Sequence, residues 1–373
     1  MEIKLEEFRT TLQAAVRQQA IRYTASHALA IRWEEDNTSA QQDTAHFQSM
    51  LKTLQLPAAQ EFVIPSTDRT PGWNIAGVLR DVVSKAEKSA GRSLIMVHYA
   101  GHGKLGPNGN LLAVEGPSSN RSFDAQRCLV DQVDLLDSMP IDILFIFDCC
   151  YSFTACREPE LAGRIVEIIG ASDNASSSPL ANSPPRNTLT AKIAGEIRCR
   201  QRQGHQYVEF ADVVQALRSR ENAVTKPVHR LKMGTSSICL PLGGLNIVNP
   251  LRIPPTLRAV FSVAITNDMN QQELDQFTAL LRSFPPNAAI VLEGVYPTGS
   301  MCFILSSAYA VYSKLSGMRG YKLISEVTGH NRLRQPEAPG LSVSPKKENV
   351  PLSKQPGSIP SYSAENFIAE EMD

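Results

Sequence analysis

Two apolar runs constrain this chain more than anything else in it: residues 93–100, SLIMVHYA, and 141–147, IDILFIF. Apolar stretches of this length without polar alternation suit strands buried on both faces, as in parallel sheets. Helical and strand periods alternate around them. Helical spacing over 6–22 puts Phe8, Leu12 and Val16 on one face and leads into a strand at 27–33. Phe47, Met50, Leu51 and Leu54 mark a second helix ahead of a strand at 61–65. Ile75, Val78, Leu79, Val82, Val83 and Ala86 form the clearest apolar stripe and feed the strand at 94–99. A hairpin-like segment at 110–116 precedes a helix carrying Val130, Val133 and Leu136, which Pro140 stops before the strand at 141–147. Another strand is expected at 164–171, then helices at 190–197 and around Phe210, Val213, Val214 and Leu217, with a last strand at 237–242. This order predicts an α/β fold, a mostly parallel sheet with helices on both faces.

Gly243 and Gly244 mark the end of that domain, which spans 27–243 behind an N-terminal helix at 1–26. A strand at 258–265, a helix at 271–282, a hairpin from 289–295 and 301–305, a helix at 308–315 and a strand at 321–328 follow. Their β-α-β-β-α-β order predicts a small α+β, ferredoxin-like unit over 244–330. The tail at 331–373, rich in Pro, Ser, Lys and Glu, is expected to be disordered, and 171–187, rich in Ser, Pro and Asn, to be a surface loop. Lys+Arg and Asp+Glu both total 37, so charge balance supports neither a nucleic-acid nor a membrane-surface partner. The seven cysteines contain no C-x-x-C pair, which argues against a disulfide framework or a zinc site and for a reducing compartment, cytoplasmic or nuclear. No signal peptide is expected at the charged N-terminus, and 288–315 is interrupted by Glu293, Pro297 and Gly299, too soon for a membrane span.

Both long apolar runs end in chemistry. The first delivers His102 between Gly101 and Gly103, and the second delivers Asp148, Cys149 and Cys150. Side chains alternate faces along a strand, so Asp148 and Cys150 share a direction while Cys149 points to the packed face. Cys150 is therefore the better nucleophile candidate. His98 lies inside its apolar run and reads as structural, whereas His102 lies past the strand end, at the carboxyl edge where parallel sheets bind ligands. A histidine beside a thiol raises its thiolate fraction or takes its proton during attack, and the Gly103 and Cys150 amides are placed to hold an oxyanion. Strand-end cysteines are commonly just buried, and a histidine beside glycine commonly marks only a turn. The conjunction of the two favours acyl transfer.

HYAGHG at 98–103 followed by DCCYS at 148–152 resembles the caspase-like clan of cysteine peptidases, particularly its metacaspase and fungal caspase-domain branches. His102 and Cys150 stand 48 positions apart, close to the caspase spacing of about 50. The resemblance covers roughly residues 28–242. It implies a caspase-like fold for 27–243, with His102 as general base, Cys150 as nucleophile and the Gly103 and Cys150 amides as oxyanion hole. It also implies that Asp148, two residues before the nucleophile, selects Lys or Arg at the cleavage position, with Asp43 as a second acidic pocket residue or else a solvated helix-start aspartate. Two departures stand out. Tyr151, Ser152 and Phe153 follow Cys150 where metacaspases commonly have His-Ser-Gly, and the aspartates at 124, 131, 134, 137, 142 and 148 are spread too widely to promise the calcium cluster many metacaspases carry. No cofactor or metal is expected to be required.

Two functions remain. One is a cysteine endopeptidase cleaving after Arg or Lys through a thioacyl-enzyme, serving programmed cell death or a stress response, with the C-terminal unit meeting a regulatory protein. The other is a catalytically weak or inactive caspase-like interaction module. Activation by cleavage is expected in 171–187 or near RCRQR at 198–202, a run that reads equally well as a solvated face.

Overall fold

The computed structural model describes residues 2–18, 20–136, 140–155, 163–172, 188–220, 226–242, 249–266, 269–297 and 301–328. Most of the expected loop at 171–187, the glycine pair at 243–244, the tail at 331–373 and the side chain of Phe153 lie outside the described residues.

Six strands make the central sheet: β1 (Ala25–Trp33), β2 (Gln60–Ile64), β3 (Ser93–Ala100), β7 (Ile141–Asp148), β8 (Val166–Gly170) and β10 (Val228–Met233). Their order is β10-β8-β7-β3-β1-β2; the first five in chain order run parallel, and β10 pairs antiparallel with β8. Every residue of β3 is buried, as its unbroken apolar run requires. Alternation divides the core between the two faces. Ala28, Ala30, Met96, Leu144 and Ile146 pack towards α2 (Ala40–Thr53), α4 (Leu189–Arg202) and α5 (Phe210–Arg218). Leu29, Ile31, Val97, Phe145 and Phe147 pack towards α3 (Pro71–Glu87).

The carboxylate at the amino end of β7 is buried but fully engaged. Asp142 accepts hydrogen bonds from Tyr23 Oη at 2.8 Å, from Arg92 Nε and Nη2 at 2.7 and 2.8 Å, and from the Ile165 amide at 2.7 Å. These ties hold the amino end of the sheet together.

Three features depart from the sequence reading. The hairpin-like segment is the middle of a three-stranded antiparallel sheet, β4 (His102–Leu105), β5 (Leu111–Val114) and β6 (Ser122–Asp124). The helix expected around Val130 and Val133 is a π-turn at Gln126–Val130 followed by a 3₁₀ turn at Asp131–Leu135. The strand at the end of the domain, β11 (Cys239–Pro241), pairs with β9 (Tyr207–Glu209) in a separate ribbon, so β10 takes the sixth place in the main sheet.

A second, antiparallel sheet is built from β12 (Arg258–Ile265), β13 (Val291–Pro297), β14 (Met301–Ala308) and β15 (Tyr321–Val327), in the order β13-β14-β12-β15, with α6 (Gln271–Arg282) and α7 (Tyr309–Leu315). This is the ferredoxin-like order expected of a β-α-β-β-α-β chain. The first helix, α1 (Leu5–Val16), packs here: the Phe8 ring lies 5.3 Å from that of Phe277 and 6.2 Å from that of Phe303, and Thr11 and Tyr321 hydroxyls bond at 2.6 Å. One apolar cluster runs from this sheet through α1 and α7 into the α2, α4 and α5 layer.

Candidate active site

The chain leaves β1 towards β2 on one side of the sheet and β3 towards β7 on the other. Such a reversal of direction opens a crevice at the carboxyl ends of the two strands. Two segments meet in it: the polar stretch 34–39 after β1 and the turn 101–103 after β3.

Backbone geometry explains both glycines of that turn. Gly101 has φ +142°, and a Cβ there would stand 3.0 Å from both the Asp36 carboxylate and the Tyr99 hydroxyl. At Gly103 a Cβ would stand 2.1 Å from the carbonyl oxygen of Cys150. Only glycine permits that approach. The close contact carries β4 past the end of β7, in line with the register that sets Ala100 opposite Asp148. His102, at the start of β4, is 8% exposed. Its carbonyl accepts a hydrogen bond from Tyr99 Oη at 2.8 Å, and its Nε2 lies 2.6 Å from Asn37 Oδ1. Desolvation holds the imidazole below its ordinary pKa; Asp36 opposes that effect and Lys104 adds to it.

Alternation at the end of β7 sorts the two cysteines. Cys149 belongs to the α3-side core, and burial pushes its thiol well above the ordinary range. Cys150 is half-buried, beside Gly103. Tyr151 then takes a left-handed conformation, φ 57°, and packs partly against the α3-side core, while Ser152 is wholly buried at the head of a 3₁₀ turn.

The two aspartates come together from separate elements. Asp148 ends β7, Asp43 lies in the first turn of α2, and each raises the question of what satisfies it. The Asp148 carboxylate accepts from the Leu189 amide at 3.3 Å and from the Thr190 amide and hydroxyl, both at 2.7 Å. It thereby caps α4. Asp43, 4% exposed, accepts from the Thr188 hydroxyl at 2.6 Å, so it is not a solvated helix-start residue. Burial, and then the neighbouring Asp148, push the Asp43 carboxyl up to about 8. Burial likewise raises Asp148, against the hydrogen bonds from Thr190 and Leu189.

His98 joins this network from behind. Since the Thr190 hydroxyl gives its proton to Asp148, His98 Nε2, 2.8 Å away, is the donor to Thr190. The ring stacks on Phe47 at 4.7 Å, and burial lowers its pKa to about 3. A histidine so held is neutral and structural.

The family profile described as "Caspase domain", of peptidase family C14, matches residues 27–230, more than half of the chain. The chain belongs to this caspase-domain family. No curated protein matches. One solved structure, caspase-1 from Spodoptera frugiperda, is 14% identical over 62% of this chain and 99% of its own, with a TM-score of 0.39.

Within the caspase domain, the described aspartates between His102 and Cys150 go to separate tasks, and Asp137 lies outside the described residues. Asp124 accepts from the Arg127 amide, Asp131 and Asp134 flank Lys232, and Asp142 is tied up at the amino end of β7. Among the described residues, no three His, Cys, Asp or Glu side chains are grouped to hold a metal ion. RCRQR forms the last turns of α4, where Arg200 is buried and paired with Glu196 and Asp212. A peptidase needs extended backbone, so cleavage there would first have to unwind the helix. No described helix is long and apolar enough to cross a membrane.

The sequence reading missed Asn37, Thr188 and Thr190. Only the polar run EEDNTS, immediately after a buried strand, signalled Asn37.

Proposed function

We propose that this caspase-domain protein is a cysteine endopeptidase that hydrolyses peptide bonds after Arg or Lys. The observation that carries the reading is the approach of Gly103 to the Cys150 carbonyl, which brings the backbone of the His102 turn against that of Cys150 at the carboxyl edge of the sheet. Cys150 Sγ attacks the scissile carbonyl as its proton passes to His102, and the Gly103 and Cys150 amides hold the oxyanion. Collapse expels the amine, which leaves with the proton from His102. Water then adds to the thioacyl carbon, giving a proton to His102, and the acid departs as the thiol is restored. Burial of Asp43 beside Asp148 supports a cationic specificity, because a buried carboxyl pair gains most from an arriving positive charge. No cofactor takes part, and the same reading gives the protein a cytoplasmic role in programmed cell death or stress.

One observation favours a second reading, an interaction module with weak or no activity: both carboxylates are engaged by the first turn of α4. Hydrolysis of fluorogenic peptides ending in Arg or in Asp separates the two, with and without calcium. The endopeptidase reading expects release from the Arg peptide only, abolished in Cys150→Ala. Turnover that survives Cys150→Ala sinks the mechanism; equal turnover of both peptides sinks the pocket.

A further inference from the structure

We infer that Asn37 is a positioning residue for the reaction: its side-chain oxygen accepts the Nε2 proton of His102 and leaves the Nδ1 lone pair to receive the proton of Cys150. The inference rests on the peptidase reading above. A neutral imidazole carries one N–H, and an acceptor at one nitrogen decides where that proton resides. Asn37 Oδ1 stands 2.6 Å from Nε2, so the proton resides there. An uncharged acceptor orients the ring without stabilising its protonated form as a carboxylate would.

The segment bearing Asn37 is held at both ends. The Glu34 amide bonds the Ile64 carbonyl at 3.0 Å, and the Glu34 carboxylate takes the Ser66 amide at 2.7 Å. Asp36 Oδ1 takes the Thr38 amide at 2.7 Å, closing an Asx turn around Asn37, and Ser39 sits at φ 68° where α2 begins. Asp36 Oδ2 is buried with no hydrogen-bond partner among the described residues, beside the Gly101 turn. His102 is pinned from the other side by Tyr99 through its carbonyl. The crevice between β1 and β3 thus brings an aligned acceptor to the imidazole from a segment more than sixty residues away.

The groups facing His102 are Asp36 and Asn37 from the segment after β1, Tyr99 from β3 and Lys104 from β4, while the end of β7 reaches the same turn through the Cys150 carbonyl beside Gly103. The test combines nitrogen-15 NMR of the imidazole, in a Cys150→Ala background, with kinetics of Asn37→Ala and Asn37→Asp in the full chain. The parent should show the Nε2–H tautomer, and Asn37→Ala should lose it. In the same variant kcat should fall about ten- to a hundredfold with KM changed by less than about twofold. In Asn37→Asp the imidazole titration and the acid limb of kcat/KM should move to higher pH together, because an opposite charge favours the protonated ring. A hydrolysing parent with its proton on Nδ1, or an Asn37→Ala variant with tautomer and kcat unchanged, overturns the positioning role alone. If the Cys150→Ala protein shows the Nε2–H tautomer but the wild-type chain hydrolyses no peptide, the peptidase reading and the catalytic role fall together.

Discussion

Gly103 carries the tightest steric constraint at the candidate site. A methyl group there would meet the Cys150 carbonyl at 2.1 Å, a contact with backbone that no side-chain rotation relieves. Gly103→Ala should therefore cost both stability and turnover: a fall of about 1–3 kcal/mol on denaturant unfolding, as for overpacked cores, and at least a tenfold loss of kcat on the Arg peptide. Retention of full activity would show that β4 and the Cys150 turn need not be in register. Gly77 makes a suitable control, since a Cβ there meets nothing within 4 Å. At this scale the places of His102 and Cys150 just past two strands were legible because a strand's end is visible in its apolar pattern. Asn37 was not, because its contact with His102 depends on which strands become neighbours.

Helix α4 depends on the aspartates below it. Asp148 takes the amides of Leu189 and Thr190, the free donors of a helix N-terminus, so Asp148→Asn should lower stability by about 1 kcal/mol or more and lower the thermal midpoint. Selectivity for a cationic peptide should therefore be read from Asp43→Asn, which leaves those amides satisfied. Asp43 also sets a pH slope. Its carboxyl titrates at about 8 in the folded chain and 3.8 otherwise, so across that window the folded state binds the extra proton. Its contribution is greatest below pH 3.8 and is lost as pH rises towards 8. Asp43→Asn should flatten that loss in urea titrations between pH 5 and 8; a slope equal to the parent's would place the titrating group elsewhere. The five parallel strands could be read from apolar runs, but β10 could not. Its sequence VHRLKM hides two buried polar residues, His229 against Glu167 and Lys232 against Asp131 and Asp134. The π- and 3₁₀-turns at 126–135 keep the apolar side chains of a helix without its hydrogen bonding, a distinction that periodicity does not register.

The two sheets share more than an interface. Lys314 of α7 meets Glu209 of β9 at 2.6 Å, each 1% exposed. Removing one partner leaves a buried charge, so Lys314→Met should destabilise the chain by about 3–5 kcal/mol, whereas Lys314→Met with Glu209→Gln should recover most of that loss. Calorimetry should show one transition for both sheets. A separate, unaffected transition for the caspase domain in Lys314→Met would contradict a shared core. The division expected from the sequence followed the glycine pair and the change of strand pattern, and neither reports that α1 packs with the last strands. That packing also has a consequence for synthesis. The Thr11–Tyr321 bond spans 310 positions, so at roughly 5–20 residues per second about 15–60 s separate the appearance of α1 from that of β15 on the ribosome. Through most of that interval Phe8 lacks the rings of Phe277 and Phe303 that cover it, so the first helix offers a nascent-chain chaperone an apolar face to hold.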